Sequence, residues 1–271
     1  MSYFNAIGLK KEPFSSSPDP AFLYRSQAHN SVLKRLEISM RLKRGLSLIL
    51  GDVGTGKTTL SRALLQEFRD DSDFSFHLIL DPTYNSEFQF LESLIKTFGI
   101  IPNARTTHDY KEEIERYLYK KGVEENKNIV LLIDEGQKLS TNFLEVLRTF
   151  LNYETNEYKL LQLIIMSQME LLPRIKKINN FYDRITLKYI INPLDENETR
   201  KMIDYRLHEA GLAEGKSLFT PEAIKRIFNY TQGYPRRIAV LCHNSLTELI
   251  IAEKNIVDEE IVKKVIERDE I

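Results

Sequence analysis

Leu46-Ser47-Leu48-Ile49-Leu50-Gly51-Asp52-Val53-Gly54-Thr55-Gly56-Lys57-Thr58-Thr59-Leu60 is the stretch that decides the fold. Its first five residues are a short, mostly apolar run, the pattern of a strand buried on both faces. Residues Gly51 to Thr58 match G-x-x-x-x-G-K-[ST], and beyond them Leu60, Ala63, Leu64 and Phe68 recur at helical spacing. A glycine-rich loop in this context curls so that backbone N–H groups face an anion, at a helix end whose dipole favours negative charge. Gly51, Asp52, Val53, Gly54, Thr55, Gly56, Lys57, Thr58 and Thr59 are therefore the candidate cradle for ATP. Lys57 is expected to reach the β- and γ-phosphates, and the Thr58 hydroxyl to bind Mg²⁺. An incidental Gly-rich turn would need neither the strand before it nor the helix after it; both are there.

Working outward, Ile129-Val130-Leu131-Leu132-Ile133 ends in Asp134-Glu135. Such a strand delivers two carboxylates to the edge of a sheet where α/β proteins bind ligands. Asp134 is expected to hold Mg²⁺ through water, and Glu135 to polarise the attacking water as general base. Further runs at Phe74 to Leu80, Leu161 to Met166 and Ile185 to Ile190 alternate with helical patterns around Glu87 to Phe98 and Asp109 to Lys121. The alternation predicts an α/β fold, a parallel five-stranded sheet in an αβα sandwich.

After Asn192-Pro193 only helical patterns follow. Asp195 with Glu198 forms a capping-box-like start, and Thr220-Pro221-Glu222 supplies a cap, a first-turn proline and an acid. The expected division is a nucleotide-binding domain over 1–192 and an α-helical lid over 193–271. Within the first, residues 1–25 are an irregular segment whose Phe4, Phe14, Phe22 and Tyr24 could dock it on the main body. Ser26 is expected to cap a helix running to about Arg44, ended by Gly45.

A net charge of −1 gives no global field toward nucleic acid or anionic lipid, so such binding would need a local patch. A single cysteine, Cys242, excludes an internal disulfide, and five scattered histidines form no metal-ligand cluster. The N-terminus lacks the apolar run of a signal peptide and no apolar stretch is long enough to span a bilayer. These features predict a cytoplasmic protein, with peripheral inner-membrane association through a partner left open.

Four stretches together resemble the ExeA/GspA family of AAA+ ATPases, linked to type II secretion and pilus biogenesis. They are Phe4-x-x-Ile7-Gly8-Leu9-x-x-x-Pro13-Phe14 through Pro18-Asp19-Pro20-x-Phe22-Leu23-Tyr24, the P-loop Gly51 to Thr59, Leu132-Ile133-Asp134-Glu135 to Leu151-Asn152-Tyr153-Glu154-Thr155, and Gly233-Tyr234-Pro235-Arg236-Arg237-Ile238. The resemblance implies an AAA+ αβα core with a helical lid, ATP hydrolysis, and a homo-oligomer, ring or filament, with nucleotide at its interfaces. It implies a sensor role for Gln168, a lid contact to nucleotide from Arg236, and a finger role for Arg184 toward a neighbouring subunit. The chain departs from the family at Ser167-Gln168-Met169-Glu170-Leu171, where Gly-Gln-Pro-Glu-Leu is usual. It also stops at residue 271 without the membrane-spanning and peptidoglycan-binding regions of longer members, so their wall-remodelling role is not carried over.

Three functions follow from this reading. The first is an ATPase that drives or regulates assembly of a secretion or pilus machine with a membrane- or wall-anchored partner. The second is a DNA-associated transposition regulator, because TniB-type ATPases are similar to the same family; Lys34, Arg35, Arg41, Lys43 and Arg44 would be its phosphate contacts. The third is a nucleotide-gated interaction module with little turnover.

Overall fold

The computed structural model describes residues 3–15, 20–101 and 106–269; Pro18 and Asp19 of the N-terminal motif lie outside them. The described residues divide into two compact units, one of residues 29–52, 61–101 and 106–191, the other of residues 3–15, 20–28, 53–60 and 192–269.

The larger unit is built on five parallel strands, β1 (Leu46–Gly51), β2 (Phe74–Ile79), β3 (Asn128–Ile133), β4 (Leu161–Ser167) and β5 (Ile185–Ile191). Their order in the sheet is β2-β3-β4-β1-β5. The central strands β1, β3 and β4 are buried on both faces almost throughout, the result expected of continuous runs of Leu, Ile and Val. Helices α1 (Gln27–Arg41) and α2 (Lys57–Glu67) flank β1 in the chain. Helices α3 (Glu87–Phe98) and α4 (Thr107–Tyr119) lie between β2 and β3, α5 (Thr141–Phe150) between β3 and β4, and the short α6 (Leu171–Lys176) and α7 (Asn179–Tyr182) between β4 and β5. Phe90, Leu94, Ile114, Leu118, Leu144, Leu147 and Phe150 from α3, α4 and α5 join Leu131, Ile133, Leu163 and Ile165 of the sheet in one core. Each fully buried Leu, Ile or Phe is worth roughly 1.5–3 kcal/mol relative to exposure.

Helix α1 stops sooner than expected. Arg41 is its last residue, and Lys43 at φ 50° forms the left-handed end, with Arg44 N–H donating to Ser39 O at 3.0 Å. Gly45 at φ 94° serves instead as the entry to β1.

The helical unit contains α8 (Glu196–Glu209), α9 (Pro221–Thr231), α10 (Pro235–Ile251) and α11 (Glu259–Asp269). Asp195 and Thr220 cap α8 and α9, each accepting from the backbone N–H three residues on. The reciprocal half of the capping box at Asp195 is not made. Glu198 accepts from the N–H of Gln27, at the start of α1, at 3.2 Å. Phe4, Leu9 and Phe14 are buried among Ile203, Leu207, Leu212, Ile224 and Leu241, so the opening segment is part of the helical core. Lys10 and Lys11 N–H groups donate to Ala210 O, and Glu12 meets His243 at 3.2 Å. No helix among the described residues is long and apolar enough to cross a membrane.

Candidate active site

Parallel register decides which strand tips share an edge. Ile133 pairs with Ile165, and Leu50 with Ser167. The carboxyl ends of β3, β4 and β1 therefore lie together, and β1 continues from that edge into the glycine-rich loop. Asp134 follows β3 directly, is 1% exposed, and its N–H donates to Ile79 O of β2 at 2.8 Å. Its Oδ1 accepts from Glu135 N–H at 2.9 Å. Glu135 itself sits at φ 52°, a left-handed conformation that costs a side-chain-bearing residue about 1 kcal/mol or more. The chain turns sharply there, which directs the two consecutive carboxylates differently.

The turn after Glu135 is tied to the tip of β4. Gln137 Nε2 donates to Glu135 Oε2 at 2.6 Å, while its Oε1 accepts from Gln168 N–H at 3.2 Å; the Ser167 hydroxyl lies 3.3 Å from that oxygen and 3.1 Å from Gln168 O, its one proton shared between them. Gly136 has no room for a side chain: a Cβ would lie 2.4 Å from Ile165 Cγ2. Arg174 of α6 donates from Nη1 to Gln137 O at 3.0 Å and Leu139 O at 2.5 Å. Lys138 pairs with Asp81 at 2.7 Å, which holds the Asp81 carboxyl below the usual carboxylate range and raises Lys138. Asp134, Glu135 and Gln168 are thus brought together, with Gln137 and Arg174 as partners that motif reading did not select. The motif stops at the acid pair, and nothing in the residues Gly136-Gln137 signals contact with a strand tip thirty residues away.

In the helical unit, the glycine-rich loop meets the start of α10. Arg236 N–H donates to Gly54 O at 3.2 Å. Gly54 stands at φ 84°, and a Cβ on it would approach Arg236 Cβ to 3.0 Å, so the close approach needs glycine. Gly56 stands at φ 94°, Thr55 is buried, and Lys57 opens α2 at 7% exposure. Arg236 and Arg237 are both exposed, and Arg237 lies over the Tyr234 ring, 5.0 Å from its centroid. Gly233 is strictly required: at φ 73° its Cβ would fall 1.9 Å from Leu194 O, and its own carbonyl accepts from Leu194 N–H at 2.9 Å. That bridge aims the α10 start that carries Arg236.

Arg184 is not gathered with the others. It precedes β5, whose first residue Ile185 pairs with Leu46, the first of β1, so it lies at the amino-end edge of the sheet. Its Nη1 donates to Leu151 O at 3.3 Å. The basic end of α1 is partly committed as well. Arg41 pairs with Glu37 and Asp71 and lies over Phe68 and Phe74. Lys43 sits 4.1 Å from the Tyr158 ring centroid, and burial pushes its ammonium below the ordinary lysine value. Cys242 is packed in the helical core, where burial pushes its thiol far up.

Residues 40–175 match the family model described as AAA domain, half of the chain. The chain belongs to the AAA domain family. It is 32% identical over 246 residues to General secretion pathway protein A of Aeromonas hydrophila, covering 90% of this chain and 44% of that protein. This AAA protein thus spans less than half the length of that curated relative. Its fold is similar to that of the Aeropyrum pernix ORC2 protein, solved in ADPNP–ADP complexes, at TM-score 0.66 and 16% identity over 91% of this chain and 68% of that one. It is also similar to Drosophila ORC bound to DNA, at TM-score 0.68 and 17% identity over 97% of this chain and 65% of that one. The AAA+ fold of a five-stranded parallel sheet with a helical C-terminal part, and the likeness to a secretion-pathway A protein, both stand as the sequence predicts.

Proposed function

We propose that this AAA protein binds and hydrolyses ATP with Mg²⁺ at the interfaces of a homo-oligomer, and that turnover drives or regulates assembly of a secretion- or pilus-type machine. The observation that carries the hydrolysis reading is the Asp134-Glu135 pair, set at the sheet edge from which β1 runs into the P-loop, with Glu135 held by a side-chain hydrogen bond. In this reading the loop N–H groups and Lys57 bind the β- and γ-phosphates, and Thr58 and Asp134 hold the metal. An alcohol and a carboxylate suit a hard cation that keeps several waters. Mg²⁺ supplies charge neutralisation on the phosphates. Glu135 takes the proton of the attacking water. Arg236 reaches nucleotide from the helical unit, Gln168 reports on it from the tip of β4, and Arg184 serves the site of a neighbouring copy. The secretion role follows the likeness to General secretion pathway protein A and would require an anchored partner at the inner membrane.

The decisive comparison is wild type against Lys57→Ala and Glu135→Gln. Lys57→Ala should show no heat of ATP association by calorimetry. Glu135→Gln should retain affinity and lose kcat by about 10²–10⁴-fold, the worth of a positioned general base. Folded wild type that gives no heat with Mg²⁺-ATP or Mg²⁺-ADP would overturn the reading.

A further inference from the structure

Gln137 uses both ends of its side-chain amide on the candidate active site. The donor end goes to Glu135 Oε2 at 2.6 Å, and the acceptor end takes the Gln168 N–H at 3.2 Å, with the Ser167 hydroxyl, 3.3 Å away, sharing its one proton between that oxygen and Gln168 O at 3.1 Å. Chemistry dictates this orientation: a peptide N–H only donates and an ionised carboxylate only accepts, so a flipped amide would lose both. The backbone beneath it has little freedom. Gly136 is wedged against Ile165, and the Arg174 guanidinium spans the carbonyls of Gln137 and Leu139. A charge-assisted hydrogen bond from a clamped donor restricts a carboxylate more than a neutral one from a mobile side chain.

We propose that Gln137 is a positioning residue for the hydrolytic step, holding the Glu135 carboxylate in its working orientation and tying that orientation to the tip of β4 at Ser167-Gln168. The inference rests on the hydrolysis reading above and adds to it the residue through which the strand tip acts on the base. Gln137 touches no reacting atom; it acts through Glu135. Its removal should therefore lower kcat and leave nucleotide affinity alone.

The sharpest variant is Gln137→Glu. It keeps an acceptor for the Gln168 N–H and the Ser167 hydroxyl, but sets a second carboxylate against Glu135 where a donor stood. The expected result is a melting temperature close to wild type, a fluorescent-nucleotide Kd within about two-fold, and a kcat lower by about ten-fold or more. Gln137→Leu should show the same split. In a Glu135→Asp background, whose shorter carboxylate falls short of the amide, Gln137→Leu should change the residual kcat by less than about two-fold. Wild-type kcat in Gln137→Glu, or an equal loss from Gln137→Leu in both backgrounds, would overturn the proposal while wild-type turnover left the hydrolysis reading standing. A wild type that binds ATP without cleaving it would overturn both.

Discussion

Gly54 carries two constraints at once, a left-handed φ of 84° and a neighbour, Arg236 Cβ, 3.0 Å from where its own Cβ would stand. The φ alone strains any residue with a side chain, and an added methyl would also have to push the Arg236 side chain aside by a few tenths of an ångström. A left-handed alanine costs about 1 kcal/mol before any clash. Gly54→Ala should therefore lower ATP affinity by about ten-fold or more in calorimetry, with the distorted loop turning its N–H groups off the phosphates. Unchanged affinity would mean that the loop and the α10 start yield easily, against the geometry. At this scale the P-loop and acid pair were open to sequence reading because each is a contiguous motif whose residue types are dictated by local chemistry. Gln137 was not. Its neighbours Ser167 and Gln168 are brought to it by strand order, and no run of residues around position 137 encodes that order.

Among elements, β2, α3 and α4 meet at a single side chain. His77 of β2 has Nδ1 2.9 Å from Thr97 O of α3 and Nε2 3.0 Å from the Tyr117 hydroxyl of α4. The carbonyl can only accept, so Nδ1 carries the proton and Nε2 accepts. Burial pushes the imidazole below its ordinary value, the Thr97 hydrogen bond pulling weakly the other way. A histidine depressed on folding leaves stability intact above the unfolded value of about 6.5 and lowers it as pH falls toward the folded value, because the unfolded chain then binds the extra proton. Urea unfolding between pH 7.5 and 5 should show wild type losing more stability than His77→Gln, by up to about 1.4 kcal/mol per pH unit. Parallel slopes would remove His77 from the account. The strands of this sheet were legible to within a residue or so; for β1, β3 and β4 burial on both faces leaves a nearly unbroken apolar run, while β2 and β5 stand half exposed and were marked by their β-branched and aromatic residues. The end of α1 was not, because Lys43 takes the left-handed turn that glycine would ordinarily signal. Helix α5, with Phe143, Leu144, Leu147 and Phe150 buried, is the crossover that the parallel β3–β4 pairing requires, an element the sequence reading did not name.

Across the whole molecule, sequence order and spatial grouping part company. The opening segment was expected to dock on the main body through its aromatic side chains, and Phe4, Leu9 and Phe14 instead complete the core of helices that lie about two hundred residues downstream. Aromatic anchors announce that a segment docks, and leave open on what. Arg184 raises the same question between copies of the chain. It stands at the amino-end edge of the sheet, opposite the strand tips that carry Asp134, Glu135 and Ser167, so the proposed finger role would be exercised on another subunit's nucleotide. Closed oligomers with heterologous interfaces supply that arrangement, each copy giving one edge and receiving the other. Arg184→Ala should retain ATP affinity and lose hydrolysis by about 10³-fold or more, the usual worth of a finger arginine. Glu135→Gln should be similarly inactive for a different reason. Mixing the two inactive variants then has a definite consequence, because some interfaces will join an intact Arg184 from one partner to an intact Glu135 from the other. Phosphate release should reappear in the mixture and fall again on dilution below the assembly concentration. A mixture that assembles, binds ATP and stays inactive would confine Arg184 to its hydrogen bond with Leu151.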